Sequence, residues 1–522
     1  MTRDVVLKLS PHAVHQIEDF TYHLSKALNL PTQNIKGYRM VRKALDARKK
    51  PIKYHIKFLV YVNEPPGDGE PKMIYHKARP THKVHIIGSG PAGLFAALEL
   101  LKEGFMPVVF ERGKDVRSRK VDIANIHRSH NLNKESNYSY GEGGAGTFSD
   151  GKLFTRSKKR GSVDDVLHTF IKHGAPSHIM YDAQPHIGSD ILPRIVENMR
   201  KTILANGGEI HFNSKLTGFN ITEGVIKSIY INSSREVPVT NLILATGHSA
   251  RDIYHLLDRH KIKMEPKAFA AGLRVEHPQE LINQIQYHGA GYPPELPPAS
   301  YKLITQQNGR GVFSFCMCPG GYIVPSATDT EEMVVNGMSN AKRNAPYANA
   351  GIVVQVSPED VFKDRPLNPI DFLNFQKKLE KDFCMSKQKP LTAPAQRLTD
   401  FINGRSSTNL PKNSYHPGVS SVLLEELLPP FISRPLKQAF VAFDKKMKGF
   451  VTDEAVLLGV ESRTSSPICI QRDKERFHHV QITNLYPCGE GAGYAGGITS
   501  SAIDGINTAR VIIKTALFKN GL

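Results

Sequence analysis

A chain of 522 residues, 40% hydrophobic and 22% charged, has the composition of a soluble globular protein and is too long for one core, so two or three domains are expected. No apolar run approaches the ~18 residues of a membrane span, and the start MTRDVVLKLS lacks the basic-then-apolar pattern of a secretory signal. Five scattered cysteines form no disulfide framework and suit a reducing cytosol, the expected location, while the net charge of +19 implies acidic partners.

Residues 1–63 read as a small β-α-β-β unit. Val5–Leu9 is a strand, Ser10 an N-cap and Pro11 the first helical residue, where its missing N–H costs nothing. Val14, Ile17, Phe20, Leu24, Ala27 and Leu28 form one apolar helical stripe, interrupted by Thr21. A strand around Tyr38–Leu45 follows, then a turn through Arg48–Pro51. In the next strand Ile52, Tyr54, Ile56, Phe58, Val60 and Val62 face one way. Between Lys36 and Lys57 there are nine Lys or Arg and one acid, Asp46. Such a hairpin can hold nucleic acid, although solvated lysines on a sheet edge also suppress aggregation. No RNP-type aromatic signature, zinc spacing or helix-turn-helix adds to the nucleic-acid case. Residues 64–71, EPPGDGEP, read as a linker closing a first domain at about residue 72.

The stretch from Lys83 to Arg112 carries the strongest signal. A short apolar strand (Val84, Ile86, Ile87) meets Gly88-Ser89-Gly90-Pro91-Ala92-Gly93, which opens a Leu- and Ala-rich helix ending near Gly104. Pro107–Phe110 is a second strand, followed by Glu111. In such a unit the first glycine permits a tight turn and the second lets backbone approach a pyrophosphate. The third packs helix against sheet, and helix-start N–H groups attract the phosphates. Glu111 lies 18 residues past Gly93, about where a carboxylate meets ribose hydroxyls. A βαβ turn without a ligand would explain Gly93 but neither Gly90 nor Glu111.

Further along, Gly141, Gly143, Gly144 and Gly146 make a loop able to lie against a flat ligand. A helix around Asp190–Asn206, a strand Glu209–Phe212 and a meander over 216–240 lead to the strand Asn241–Ala245, which runs into Thr246-Gly247-His248. Residues 265–450 read as an inserted substrate or cap domain with two or three strands, and helices after 368. Within it Cys316 and Cys318 share one face of a strand. Their Cα atoms would stand ~6.6 Å apart, so a disulfide requires local distortion, and small residues facing a core or ligand are the alternative. Strands Met333–Met338 and Asn344–Ala350 follow, then capped helix starts at Ser357 and Asn368, the second helix running to about Met385. Residues 424–448 read as amphipathic helix. Arg463 stands among four hydroxyls, as either a clamp for a carboxylate or phosphate or a link between domains. His479–Leu485 reads as a strand, residues 486–498 as a glycine-rich turn, and Thr499 to about Ala516 as a closing helix.

Gly88–Gly93 with Glu111, Ala245-Thr246-Gly247, and Cys488-Gly489-Glu490-Gly491 before a C-terminal helix together resemble the FAD-binding set of glutathione-reductase-type flavoproteins. Phe148-Ser-Asp-Gly-Lys152, Phe315–Gly321 and Ser462–Pro467 resemble one branch, the uncharacterised FAD-dependent dehydrogenases of bacteria, with similarity over nearly the whole chain. The resemblance implies an α/β fold. A Rossmann-like FAD-binding domain (80–264 plus 451–522) would carry an inserted mixed α+β substrate or cap domain (265–450) and a small N-terminal β-α-β-β domain (1–72). It implies that Gly88, Ser89, Gly90, Pro91, Ala92, Gly93, Glu111 and Arg112 serve the ADP half of FAD. Gly143, Gly144, Gly146, Thr147, Thr246, Gly247, Gly489, Glu490, Gly497 and Ile498 would serve the rest, Glu490 at the ribityl chain and Gly497–Ile498 at the N1–C2=O edge.

There is no second GxGxxG after a strand and no Cys-x-x-Cys, which disfavours an NAD(P)H domain and a disulfide reductase of the usual kind. The expectation is an FAD-dependent oxidoreductase moving hydride between an anionic small-molecule substrate and flavin N5. Arg463 is the candidate anchor, and Cys316 and Cys318 are pocket residues without an assigned acid-base role. Two alternatives stand beside it, an FAD enzyme acting on tRNA through the basic hairpin and a flavin- or nucleotide-binding protein without turnover.

Overall fold

The computed structural model describes residues 1–67, 73–155, 160–362, 366, 368–385 and 391–519; the linker expected over 64–71 falls partly outside them. The N-terminal unit is an antiparallel sheet in the order Thr2–Leu9, Lys53–Val62, Ile35–Asp46. Ile56, Phe58 and Val60 are fully buried against Phe20 and Leu24. The single helix expected there is two, Pro11–Gln16 and Thr21–Leu28. Asp19 breaks it, because its carboxylate accepts from the Thr21 N–H, the Thr21 hydroxyl and the Tyr38 hydroxyl in competition with helical bonding. The basic edge strand docks on the main body where the Lys43 N–H donates to the Tyr181 carbonyl.

The middle of the molecule is a five-stranded, wholly parallel sheet. Its order is Leu485–Pro487, Leu242–Leu244, Arg79–Ile87, Phe105–Phe110, Glu209–His211. Helices Pro91–Lys102, Leu192–Ala205 and Ile498–Lys519 cover one face. The three-stranded meander from Leu216 to Pro238 and the helix Arg251–Arg259 cover the other. Such a sheet buried on both faces is expected to read as continuous apolar runs, and Phe105–Phe110 is buried at every position. Chain order departs in opposite directions from Arg79–Ile87. In open sheets of this kind, ligands bind beyond the strand carboxyl ends at that switch.

The stretch expected to form an inserted domain holds more strands than its sequence suggests. A seven-stranded sheet runs Ile304–Gln307, Arg310–Cys318, Tyr347–Val356, Phe269–Pro278, Val456–Glu461, Ala393–Arg397, Val419–Ser421. Val456–Glu461 lies in this sheet, although it follows the boundary expected at 450. Phe269–Pro278 escaped notice because it has no alternation. It is buried almost throughout, including Arg274, Glu276 and His277. The helical stretch 424–448 is split by Pro429–Pro430 into Leu424–Leu427 and Pro430–Lys446. His479–Leu485 is not a strand. The His479 N–H bonds to the Leu485 carbonyl and the Ile482 N–H to His479, closing a turn, and the strand starts only at Leu485. Among the described residues no helix is long and apolar enough to cross a membrane.

Candidate functional site

Four of the five parallel strands end on one cleft of about 380 Å³, through Ile87–Gly88, Phe110–Arg112, Ala245–His248 and Cys488–Glu490. The first turn has the geometry its spacing predicts. Gly88 has φ +99°, and a Cβ there would lie 2.4 Å from the Ala245 carbonyl oxygen. Gly93 sits against the Gly88 carbonyl, 2.0 Å from where its own Cβ would be. Gly93 therefore packs helix on turn and does not line the cleft, and Ser89, also outside the lining, is buried. Gly90, Pro91 and Ala92 do line it, at a helix start whose first N–H groups have no intrahelical acceptor.

The loop through Gly144–Gly146 wedges between two helix starts. Gly144 meets Gly90 backbone to backbone, and a Cβ on Gly146 would lie 3.0 Å from Ile498, the first residue of the C-terminal helix. Gly143 and Thr147 are not at the cleft surface. The Thr147 hydroxyl donates to the Glu142 carbonyl, and a Cβ on Gly143 would strike it, so both shape the loop from behind. Thr246, Gly247, Gly489, Glu490, Gly497 and Ile498 all line the cleft, and a Cβ on Gly247 or Gly497 would meet nothing within 4 Å. The Gly489 N–H is fixed by Asp504, itself paired with Arg472.

Glu111 is buried, and its carboxylate is already taken up by the protein. One oxygen accepts from the Ser89 N–H and hydroxyl at 2.9 Å; the other accepts from Gly113 N–H at 2.9 Å and Gly141 N–H at 3.0 Å. It ties the first turn to the Gly141 loop before any ribose could reach it. Arg112 stacks over Tyr140, 4.2 Å from the ring centroid, and pairs with Asp252 and Glu135.

Arg463 borders the cleft, yet every N–H it has is spent. Nε and one amino group bond to Glu380, that same amino group also to Glu332 at 2.6 Å, and the other amino group to Thr328 and the Ser326 carbonyl. Arg251 completes the cluster from the nucleotide-binding side, 2.7 Å from each glutamate. Burial alone would raise the Glu380 carboxyl, but the two guanidinium groups hold it down at about 2. The five N–H groups of Arg463 all have protein acceptors, which leaves no donor for a substrate.

Besides Arg112 and Lys215, which pair with Asp252 and Glu135, Lys152 lines the cleft; sequence reasoning quoted it only as part of a motif. It lies 3.3 Å from Asp150 and 3.5 Å from the Cys318 sulfur. Asp150 is held by Arg343 as well. Burial pushes its carboxyl up, but Lys152 and Arg343 bring it down to about 2. Cys316 and Cys318 do not continue the regular alternation. The register slips between Phe315 and Cys318, and Cys316 takes φ +46°. The slip puts Cys316 on the cleft wall beside Phe315 and buries Cys318 behind it. Both are free thiols. His248, 3.4 Å from Glu490, and Tyr140 were also missed; neither has a spacing signal of its own. Among the described residues no cluster could hold a metal ion.

With this geometry in hand, the comparisons with known proteins become informative. Residues 268–464 match a family described as FAD-dependent protein, C-terminal domain-like, and residues 1–61 match a domain of unknown function. An uncharacterized protein of Clostridium beijerinckii is 40% identical over 518 residues, covering 94% of this chain and 95% of that one. A flavoprotein/dehydrogenase from Cytophaga hutchinsonii is 10% identical with a TM-score of 0.38, covering 84% of this chain and 79% of that one. Glycerol-3-phosphate dehydrogenase from Bacillus halodurans, complexed with FAD, is 10% identical with a TM-score of 0.37, covering 85% and 66%. Structural likeness at that level supports no argument. The family match and the cleft agree, and the cofactor is FAD. The residues fit it: two helix starts face one cleft, the backbone turns between them are glycine, and the space beside Gly247 and Gly497 is open.

Proposed function

The chain belongs to the same family as the Clostridium beijerinckii protein, and on that premise we propose that it is an FAD-dependent dehydrogenase acting on a small anionic substrate. One observation carries the proposal: the turns at 88–93 and 489–498, some four hundred residues apart, form the walls of one cleft that also opens onto the inserted domain. When bound, FAD supplies two-electron chemistry, exchanging hydride with the substrate at flavin N5.

The protein's part is binding, orientation and charge. Gly88, Gly90 and the Pro91–Ala92 helix start would hold the pyrophosphate. Glu490, beside His248, would meet the ribityl chain. Gly497 and Ile498, at the start of a 22-residue helix, would face the flavin's N1–C2=O edge, where the helix dipole favours negative charge by ~0.3–1 kcal/mol. Glu111 would reach the ribose only by sharing oxygens that already take four protein hydrogens. Lys152, not Arg463, is the cation available to an anionic substrate at the inserted-domain end. The test is the absorption spectrum of the purified protein, then anaerobic bleaching against hydroxy acids, amines, polyenes and NAD(P)H. A flavin band bleached by one of the donors is the expected result. Protein that cannot be loaded with FAD, or a bound flavin that none of these reduces, overturns the proposal.

A further inference from the structure

The cleft wall at Cys316 has a construction that cofactor binding does not require. The strand Arg310–Cys318 pairs regularly with Tyr347–Val356 up to Phe315 and then slips. A residue with a Cβ in the left-handed region costs of order 1–3 kcal/mol and persists where surrounding structure enforces it. Its consequence is that one thiol faces the cleft while its neighbour two positions on is wholly buried, its S–H directed at the Cys316 carbonyl at 3.2 Å.

The charges around the pair are unbalanced in favour of a thiolate. Lys152 lies against the Cys318 sulfur, and a guanidinium N–H of Arg274 reaches the Cys316 carbonyl at 3.4 Å. The facing carboxylates are Asp150 and Glu461. Each is claimed by an arginine, Asp150 by Arg343 at 2.6 Å and Glu461 by Arg274 at 2.7 Å. The neighbouring Cys318 thiol lowers the Cys316 thiol against the opposing effect of burial, and Lys152 and Arg274 lower it further. The neighbouring Cys316 and burial raise Cys318. Cys469 and Cys488 are different, since burial pushes both of those thiols up. A half-buried, cleft-lining sulfur of lowered pKa backed by a buried sulfur of raised pKa is the arrangement that thiol–disulfide exchange needs, attacking thiolate in front and resolving thiol behind.

We propose that Cys316 and Cys318 give the cleft a second activity, reduction of an anionic disulfide by thiol–disulfide exchange. The Cys316 thiolate attacks one sulfur of the substrate; that S–S bond breaks, one thiolate leaves, and a mixed disulfide forms on Cys316. The Cys318 sulfur then attacks the Cys316 sulfur and loses its proton. The mixed disulfide breaks, the Cys316–Cys318 bond forms, and the second half of the substrate departs. The two protein sulfurs lose two electrons, and the substrate becomes one thiolate and one thiol. Lys152 holds the negative charge that passes along this path. The activity shares the cleft with the proposed dehydrogenase function but takes its electrons from the thiols, so either can fail alone.

The probe is 5,5′-dithiobis(2-nitrobenzoate), an anionic disulfide with a coloured thiolate product, added to dithiothreitol-reduced, desalted FAD-loaded protein at pH 6.5. Wild type is expected to release two coloured thiolates per chain in a fast phase, leaving an internal Cys316–Cys318 disulfide by peptide mass mapping. Cys318→Ser is expected to release one and retain the mixed disulfide on Cys316. Cys316→Ser should slow the fast phase at least ~10-fold and Lys152→Met at least ~5-fold, since thiolate fraction outweighs the nucleophilicity lost with pKa. A stable adduct on wild-type Cys316, or a Cys316→Ser protein as fast as wild type, overturns the proposal. The flavin absorbance of the same samples reports separately on the cofactor.

Discussion

Replacing Arg463 by alanine should unfold the protein more easily rather than change how it binds substrate. The side chain is 6% exposed as a residue and makes five hydrogen bonds, three of them to carboxylates that are themselves buried. Without it, Glu332 and Glu380 face Arg251 alone, and a balanced cluster of two cations and two anions becomes a buried net negative charge. Breaking such a pair costs ~3–5 kcal/mol. The pH-dependent part is smaller: a carboxyl held at about 2, against an ordinary 4.5, contributes about 3 kcal/mol at neutral pH, but Arg251 supplies the larger charge–charge share of that and remains in the variant. At ~2 °C per kcal/mol for a large domain, Tm should fall by ~6–10 °C in differential scanning fluorimetry. Adding Glu380→Gln to Arg463→Ala should recover part of the loss, because the unpaired charge is then gone. An Arg463→Ala protein melting within ~1 °C of wild type, with only a raised KM, would refute the electrostatic account and restore Arg463 as a substrate anchor.

Three further outcomes are expected. Gly497→Val adds a side chain where nothing lies within 4 Å, so the apoprotein should keep its Tm while FAD affinity, read by fluorescence titration, falls at least ~10-fold. Glu111→Gln turns an acceptor of four hydrogens into a group with its own N–H₂ facing donors, so the apoprotein itself should lose ~1–3 kcal/mol in urea unfolding; a loss of FAD affinity alone would mean a pure ribose ligand. The folded-state carboxyl of Glu380 lies below its unfolded value, so its contribution is complete above pH ~4.5 and lost as pH falls toward ~2. Stability measured down that range should drop more steeply in wild type than in Glu380→Gln.

The turn from Gly88 to Gly93 was legible because much of what shapes it is local. Gly88 and Gly93 touch each other, and strand, turn and helix follow within one short stretch of chain. Spacing likewise carried the N-terminal strand with period two and, within one residue, the last helix, expected from Thr499 and found from Ile498. What spacing could not carry is pairing between distant residues. Glu332 and Glu380 sit 131 and 83 positions from Arg463, and Lys152 sits 166 from Cys318. An arginine among hydroxyls reads as a free clamp until the fold brings two carboxylates to it. The buried strand Phe269–Pro278 failed for a related reason, since periodicity reports which face meets water and this strand meets almost none. Local backbone geometry therefore determined that a dinucleotide is bound. Only tertiary packing decided which charges remain free to meet it, because a charge's partners are set by distance in space and not along the chain.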